Sequence, residues 1–203
     1  MKTGYLLRIG IDHFKEINDN FGQEYGDFVL RKTADCISSC ISEAQKVYKL
    51  VADEFLIMDV SSDEVRDAEK LYNKMREEIG RFIEANEFKV MYTVSGGIVP
   101  FGTLGGDQYS EALKLTDFAL NEAKKLGRNR CYIYNEETYR RFLRKREITQ
   151  ELRDAVNNGL QGFTAFYQPV FAEDKKVPYG AEALMRFTSE KFGMVSPAEF
   201  IPI

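Results

Sequence analysis

The sequence predicts an α/β (α+β) fold in which helices pack on a mostly antiparallel central sheet. Two observations lead to it. Short β-rich segments and longer helical patterns follow one another as β-α-β-β-α-β, with one more α-β after them, and the two middle strands are joined by a connection tight enough to be a hairpin. A central hairpin between two helix crossovers is the ferredoxin-like βαββαβ arrangement. Length adds a third constraint. At 203 residues against the roughly 150 of a typical domain, the chain has room for one full core and a smaller extra unit.

The elements follow in order. Tyr5 to Ile11 is apolar at nearly every position and reads as a short buried strand. Asp12 to Asn20 reads as a polar turn. Val29, Thr33, Cys36, Ile37, Cys40 and Ile41 then recur at helical steps. Lys46–Leu50 and Phe55–Val60 are the hairpin strands, joined through Val51–Glu54. Ser61-Ser62-Asp63-Glu64 is a helix start with acidic residues in its first turn, and Val65, Ala68, Leu71, Met75, Ile79, Phe82 and Ile83 form that helix's apolar stripe. Lys89 to Val99 is a β-rich run interrupted by Ser95-Gly96-Gly97. A loop from Pro100 to Asp107 leads to a helix carrying Leu113, Ala119, Leu120, Ala123 and Leu126, which Gly127 ends. Arg130–Tyr134 closes the sheet, placing the domain at 1–135. Residues 136–160 read as a charged linker helix ended by Gly159 and Gly162, and 161–203 open something new with a β-like segment at Phe163–Tyr167.

Composition narrows the chemistry. Lys and Arg number 28 against 32 Asp and Glu, a net charge of -4, so no overall basic excess points to nucleic acid or an acidic membrane surface. The local cluster Arg140, Arg141, Arg144, Lys145 and Arg146 has no interleaved aromatic platform and reads as a solvated helix face. No apolar run approaches the roughly 18 residues of a membrane span, and no signal-peptide stretch is visible. Three cysteines at no metal-like spacing fit a reducing, cytoplasmic setting, with Cys36 and Cys40 as small core residues. A single histidine, His13, excludes sites built on two imidazoles. Carboxylates, Lys and Arg, and an oxygen-held metal remain, which suits phosphate substrates and Mg²⁺.

That chemistry has a place to assemble. The first strand ends in Gly10-Ile11-Asp12-His13-Phe14-Lys15-Glu16-Ile17-Asn18-Asp19, Gly26-Asp27 heads the first long helix, the hairpin carries Val51-Ala52-Asp53-Glu54-Phe55, and Lys124 to Arg130 follow the last helix. Carboxylates there can hold Mg²⁺, a Lys and an Arg can take phosphate charge, and Asn18 with Asp27 can read a base edge. Each polar residue also has a plainer role, as turn or cap residue or as a cation at a helix C-terminus.

These segments, IDHFKEINDNFGQEYGD, ADEF, VSGGIV and TDFALNEAKKLGRNRCYIY, resemble the GGDEF domains, the bacterial diguanylate cyclases. The resemblance covers residues 5–135. It implies one GTP per domain, and two domains facing each other in a homodimer to make cyclic di-GMP with two Mg²⁺ ions. By position it implies that Asn18 and Asp27 read guanine and that Lys124 and Arg128 meet the terminal phosphates. It implies likewise that Asp53 is the signature metal ligand, with Glu54 its acidic neighbour, and that Ile11 gives a backbone carbonyl to the metal.

The sequence departs from the family pattern at this same site. Gly10 stands where the pattern has a metal-binding Asp, and a site short of one carboxylate holds Mg²⁺ poorly. Val51-Ala52 replaces two glycines, which permit positive φ and close approach of a nucleotide; a β-branched Val suits neither purpose. The hairpin is expected to form with a different turn. The family's Arg-x-x-Asp product site is replaced by Ser42-Glu43-Ala44-Gln45, and Gly105-Gly106-Asp107 is a loop, not the signature.

A second resemblance lies in the tail. Phe166-Tyr167-Gln168-Pro169-Val170, Glu182-Ala183-Leu184-Met185-Arg186-Phe187 and Ser196-Pro197-Ala198-Glu199-Phe200-Ile201-Pro202 resemble the opening of an EAL domain, the cyclic di-GMP phosphodiesterase. It implies Glu182 as a metal ligand and Gln168 and Arg186 as dinucleotide contacts. Only the first part of a much longer barrel is present, so phosphodiesterase activity is not expected of these residues by themselves. The resulting expectation is a degenerate GGDEF domain without cyclase activity, acting as a GTP-binding or regulatory module on an EAL domain in cis. The alternatives are a weakly active cyclase with an altered metal site, and a ligand-free dimerisation module.

Overall fold

Tyr5–Ile11 forms β1, the middle strand of a five-stranded sheet ordered β2-β3-β1-β4-β5. In the computed structural model, residues 4–62, 64–85, 90–104, 109–173 and 176–203 are described; Asp63, Lys89 and Gly105-Gly106-Asp107, singled out above, lie outside them. β1 pairs antiparallel with β3 (Glu54–Asp59) and with β4 (Val94–Pro100), and β2 (Gln45–Lys49) pairs antiparallel with β3. β5 (Cys131–Ile133) runs parallel to β4, as a strand reached through a helical crossover must. The mostly antiparallel α/β sheet predicted from element order is thus present, with the last α-β unit extending its edge.

Both faces of β1 are covered, which explains its near-continuous apolar sequence. One face, Leu7, Ile9, Ile11, Phe55 and Ile57, packs on α2 (Gln23–Cys40) and α3 (Val65–Ala85). These helices bury the stripes that periodicity predicts, Val29, Thr33, Cys36, Ile37 and Cys40 on α2 and Ala68, Leu71, Met75, Ile79 and Ile83 on α3. Leu6, Leu56 and Met58 lie on the opposite face, with Ala112 and Leu113 of α4 (Tyr109–Lys125).

The predicted polar turn at Asp12–Asn20 is instead a helix, α1 (Phe14–Phe21). It buries Ile17, packs Phe14 against the core and turns Asn18 onto Gly26, while its remaining positions face water. So narrow an apolar strip looks like turn composition when read along the chain. The interruption expected at Ser95-Gly96-Gly97 is also absent. β4 runs through both glycines, although residues 90–93 before it are not strand. A Cβ on Gly97 would lie 2.3 Å from the backbone nitrogen of Leu120, and one on Gly96 would lie 2.7 Å from the Tyr72 ring. The glycines let a helix backbone and an aromatic ring press on the two faces of one strand. Leu126, expected in the helix stripe, lies just past the end of α4 and is exposed.

Residues 1–135 form one compact unit and 136–203 a second. In the second, α5 (Glu136–Asn157) is followed by the antiparallel hairpin of β6 (Phe163–Phe171) and β7 (Pro178–Ser189), then by β8 (Gly193–Val195) and the short α6 (Pro197–Phe200). Its core is small: Ile148 and Ala155 of α5 meet Phe187, Val195 and Phe200. Three basic residues of α5 pair with carboxylates, Arg140 with Glu136, Arg141 with Glu137 and Arg144 with Glu199. No described helix is long and apolar enough to cross a membrane.

Candidate functional site

The β1–β3 register places Gly10 opposite Glu54 and Arg8 opposite Leu56. Residues paired directly, or two apart on a strand, share a face, so Arg8, Gly10 and Glu54 all lie on the face that α4 covers. Glu54 does not project freely. Arg8 donates to its Oε2 through Nε at 2.7 Å and also through a second guanidinium nitrogen. The same guanidinium donates to the carbonyl of Leu113 at 3.2 Å and lies 3.3 Å from an oxygen of Asp117. Both partners of the Arg8–Glu54 pair are largely buried, so separating them would leave an uncompensated charge in a poorly hydrated place. Sequence reading missed Arg8. The signal was a lone charge in an otherwise apolar strand, which demands a partner.

Gly10 faces Lys124. A Cβ on residue 10 would lie 3.1 Å from the Lys124 ammonium nitrogen and 3.2 Å from Leu120. At residue 10 this chain therefore holds an ammonium group over bare backbone.

The hairpin turn is closed by hydrogen bonds from the Leu50 amide to the Glu54 carbonyl at 2.9 Å and from the Glu54 amide to the Val51 carbonyl at 3.3 Å. The left-handed residue is Ala52, with φ 55°. Val51, expected to carry the conformational difficulty, is not at positive φ and points into solvent, 84% exposed. A turn of this length needs only one left-handed residue, and the non-branched one takes it. Lys49, also missed, donates to the carbonyls of Leu50 and Ala52. Burial lowers its ammonium pKa against the opposing charges of Asp53 and Glu54. Asp53 is half-buried, and its carbonyl accepts from the Ile11 amide at 3.4 Å.

The two proposed base readers come together. Gly22, at φ 84°, turns the chain between α1 and α2. The Asn18 side chain then lies directly on Gly26, where a Cβ would come within 1.9 Å of its amide oxygen. Asp27 is the next residue, and it is exposed. Only glycine at 26 lets that amide approach the helix backbone beside Asp27.

After α4 the chain makes a left-handed turn: Gly127, Arg128 and Asn129 have φ 114°, 60° and 50°. Amides of Gly127 and Arg128 donate back to the carbonyls of Lys124 and Ala123, satisfying two of the helix's last acceptors. Arg128 is exposed at the tip of this turn. Asp12 lies beneath it, 2% exposed, accepting hydrogen bonds from Ser95 Oγ and Thr93 Oγ1 at 2.7 Å each and from the Asn129 amide at 3.2 Å.

Among the described residues, no group of three or more His, Cys, Asp or Glu is placed to hold a metal ion. The oxygens that the resemblance assigns to a metal are the Asp53 carboxylate and the Ile11 carbonyl. Glu54 is engaged by Arg8, and Lys124 stands beside Gly10. A divalent cation there would have few protein oxygens and would meet the positive charges of Arg8 and Lys124, which disfavour it.

In the second unit, β6–β7 pairing sets Gln168 opposite Glu182 and Thr164 opposite Arg186, with Phe166 opposite Leu184 between them. Gln168, Glu182 and Arg186 therefore share one face of the hairpin, and the Arg186 guanidinium lies 5.3 Å from the centre of the Phe166 ring.

Residues 1–130 match the family described as "Diguanylate cyclase, GGDEF domain", and the chain belongs to that family. A relative from Pseudomonas aeruginosa, the cyclic di-GMP phosphodiesterase NbdA, is 28% identical over 197 residues, covering 97% of this chain and 24% of that protein. The active GGEEF domain of a diguanylate cyclase from Vibrio cholerae superposes with a TM-score of 0.57 at 32% identity, over 66% of this chain and 83% of that one. The S helix-GGDEF-EAL structure of Vibrio cholerae LapD covers 98% of this chain and 46% of its own, with a TM-score of 0.57 at 19% identity, a likeness of fold alone. The chain spans about a quarter of the length of the curated relatives it matches.

Proposed function

We propose that residues 1–135 are a degenerate GGDEF domain that binds GTP without cyclising it and regulates an EAL domain in cis, within cyclic di-GMP signalling. The observation that carries this reading is the asymmetry of the site. Its base and phosphate residues are well disposed, with Asn18 seated on Gly26 beside Asp27 and Lys124 and Arg128 at the end of α4. Its metal and turnover residues are not. Glu54 is held by Arg8, Gly10 offers no oxygen and faces an ammonium group, and Ala52 occupies a strained position. Phosphate charge that Mg²⁺ would otherwise neutralise falls to Lys124 and Arg128, so Mg²⁺ is held weakly or not at all.

The second unit supports the cis partner. Phe166, Tyr167, Phe171, Tyr179 and Met185 of the β6–β7 hairpin are all more than half exposed or at half exposure. A hairpin this apolar is stable in water only when further structure covers it, as the opening strands of a larger barrel would be covered.

The test is a calorimetric titration with a non-hydrolysable GTP analogue, with and without Mg²⁺, beside a product assay on the concentrated chain. The expected result is binding that persists without Mg²⁺ and no cyclic di-GMP. Binding that requires Mg²⁺, with product formed, would establish a cyclase. No binding under either condition, in a protein dimeric in solution, would establish a dimerisation module.

A further inference from the structure

We infer that Asp12 is the positioning residue for phosphate recognition: its buried carboxylate clamps the left-handed turn that presents Arg128. The inference rests on the nucleotide reading above and names a residue to which that reading assigns no role.

Three successive residues, Gly127, Arg128 and Asn129, lie at positive φ. Glycine adopts such a conformation without penalty, whereas Arg and Asn do not, and two non-glycine residues in a row persist there only when their surroundings over-determine them. Those surroundings are identifiable. The Asp12 Oδ2 atom accepts from the Asn129 amide at 3.2 Å. The Asn129 carbonyl accepts from Arg76 at 3.4 Å, and the Arg128 carbonyl from Nε of Arg130 at 3.2 Å. The Arg130 carbonyl in turn accepts from the Gly96 amide at 2.9 Å, seating the turn against β4.

Asp12 is the only carboxylate among these contacts. The Ser95 and Thr93 hydroxyls fix its two oxygens, and its own amide donates to the Thr93 carbonyl at 2.8 Å. The carboxylate cannot rotate away without leaving buried donors unmet. It therefore ties the end of β1, the start of β4 and the turn after α4 into one arrangement, while the Arg128 side chain stays in solvent. Asp12 touches no ligand. It acts by holding the backbone that carries Arg128 against the ends of β1 and β4.

Comparing GTP with GMP tests this, because the two share the guanine and differ in the terminal phosphates. Arg128→Ala in the full chain calibrates the loss when the phosphate contact is removed. Asp12→Asn is expected to lower the ratio of GTP to GMP affinity by about tenfold, the size of a lost charge-assisted hydrogen bond, with GMP affinity unchanged. A generally damaged domain would weaken both nucleotides alike and leave the ratio in place. If Asp12→Asn does not fold by circular dichroism, Ser95→Ala, which frees one carboxylate oxygen, is read in the same way. A wild-type preference for GTP that survives unaltered in the folded variant overturns the clamp. A wild-type chain that binds GTP no more tightly than GMP overturns the nucleotide reading instead.

Discussion

Asp59 shows how one carboxylate can couple the sheet edge to the start of a helix. It is 2% exposed and accepts hydrogen bonds from Tyr5, from Gln45 and from both the amide and hydroxyl of Ser61, at 2.6 to 2.9 Å. Burial alone would raise its pKa, but the Ser61, Gln45 and Tyr5 donors outweigh burial and hold it below the ordinary value. The same environment, burial first and the hydrogen bond to Asp59 second, drives the Tyr5 phenol well above its usual range. A carboxyl depressed in the folded state stabilises fully above its unfolded value of about 3.9, and that stabilisation is lost as pH falls through the folded value. Denaturation midpoints measured from pH 7 down to pH 3 should therefore decline below about pH 4. Asp59→Asn should be less stable at pH 7 and show a shallower acid decline. A variant whose profile runs parallel to wild type would show that Asp59 is not the group responsible.

At the level of elements, the hairpin and the helix ends show where sequence reading succeeds and where it stops. Strand alternation and helical stripes are local, and they place the connection between the two middle strands at Val51 to Asp53, where the β2–β3 turn is found. Which residue of Val51-Ala52 takes positive φ depends on how the two strands twist into the turn, and it is Ala52. An L-residue in that conformation costs about 1–2 kcal/mol, partly offset in any glycine variant by the greater freedom of its unfolded chain. Ala52→Gly should accordingly stabilise the first unit by about 0.5–1 kcal/mol, raising the urea midpoint, with Gly10 and the Arg8–Glu54 pair left as they are. An unchanged or lower midpoint would mean that the turn carries no strain at Ala52. The reading of Asp12–Asn20 as a turn failed for a related reason. A helix that buries little more than Ile17 leaves almost no periodic signal.

Across the whole molecule, the cysteines report on the integrity of the core. Cys36 and Cys40 are buried between α2 and α3, and none of the three thiols is in a disulfide. Burial is the leading cause pushing Cys36 and Cys131 up to about 11, and it also raises Cys40. At pH 8 the native protein should react slowly with a thiol reagent, and all three groups should react quickly once urea unfolds the first unit. Rapid labelling of Cys36 or Cys40 in the native chain would contradict the packing of α2 on α3. By itself the sequence determined the order of elements in the first unit apart from α1, the stripes that become the core, the central hairpin and the family to which the chain belongs. These are local patterns, or patterns of residue type at fixed spacing, and need no knowledge of what lies across the fold. Only the tertiary structure decided which charges meet. Arg8 reaches Glu54 across 46 positions, and Asp12 holds Asn129 across 117. Such pairs depend on strand register and on how closely a helix backbone presses on a glycine. A shift of one residue in register would send Arg8 and Glu54 to opposite faces of the sheet, which no periodicity along the chain records.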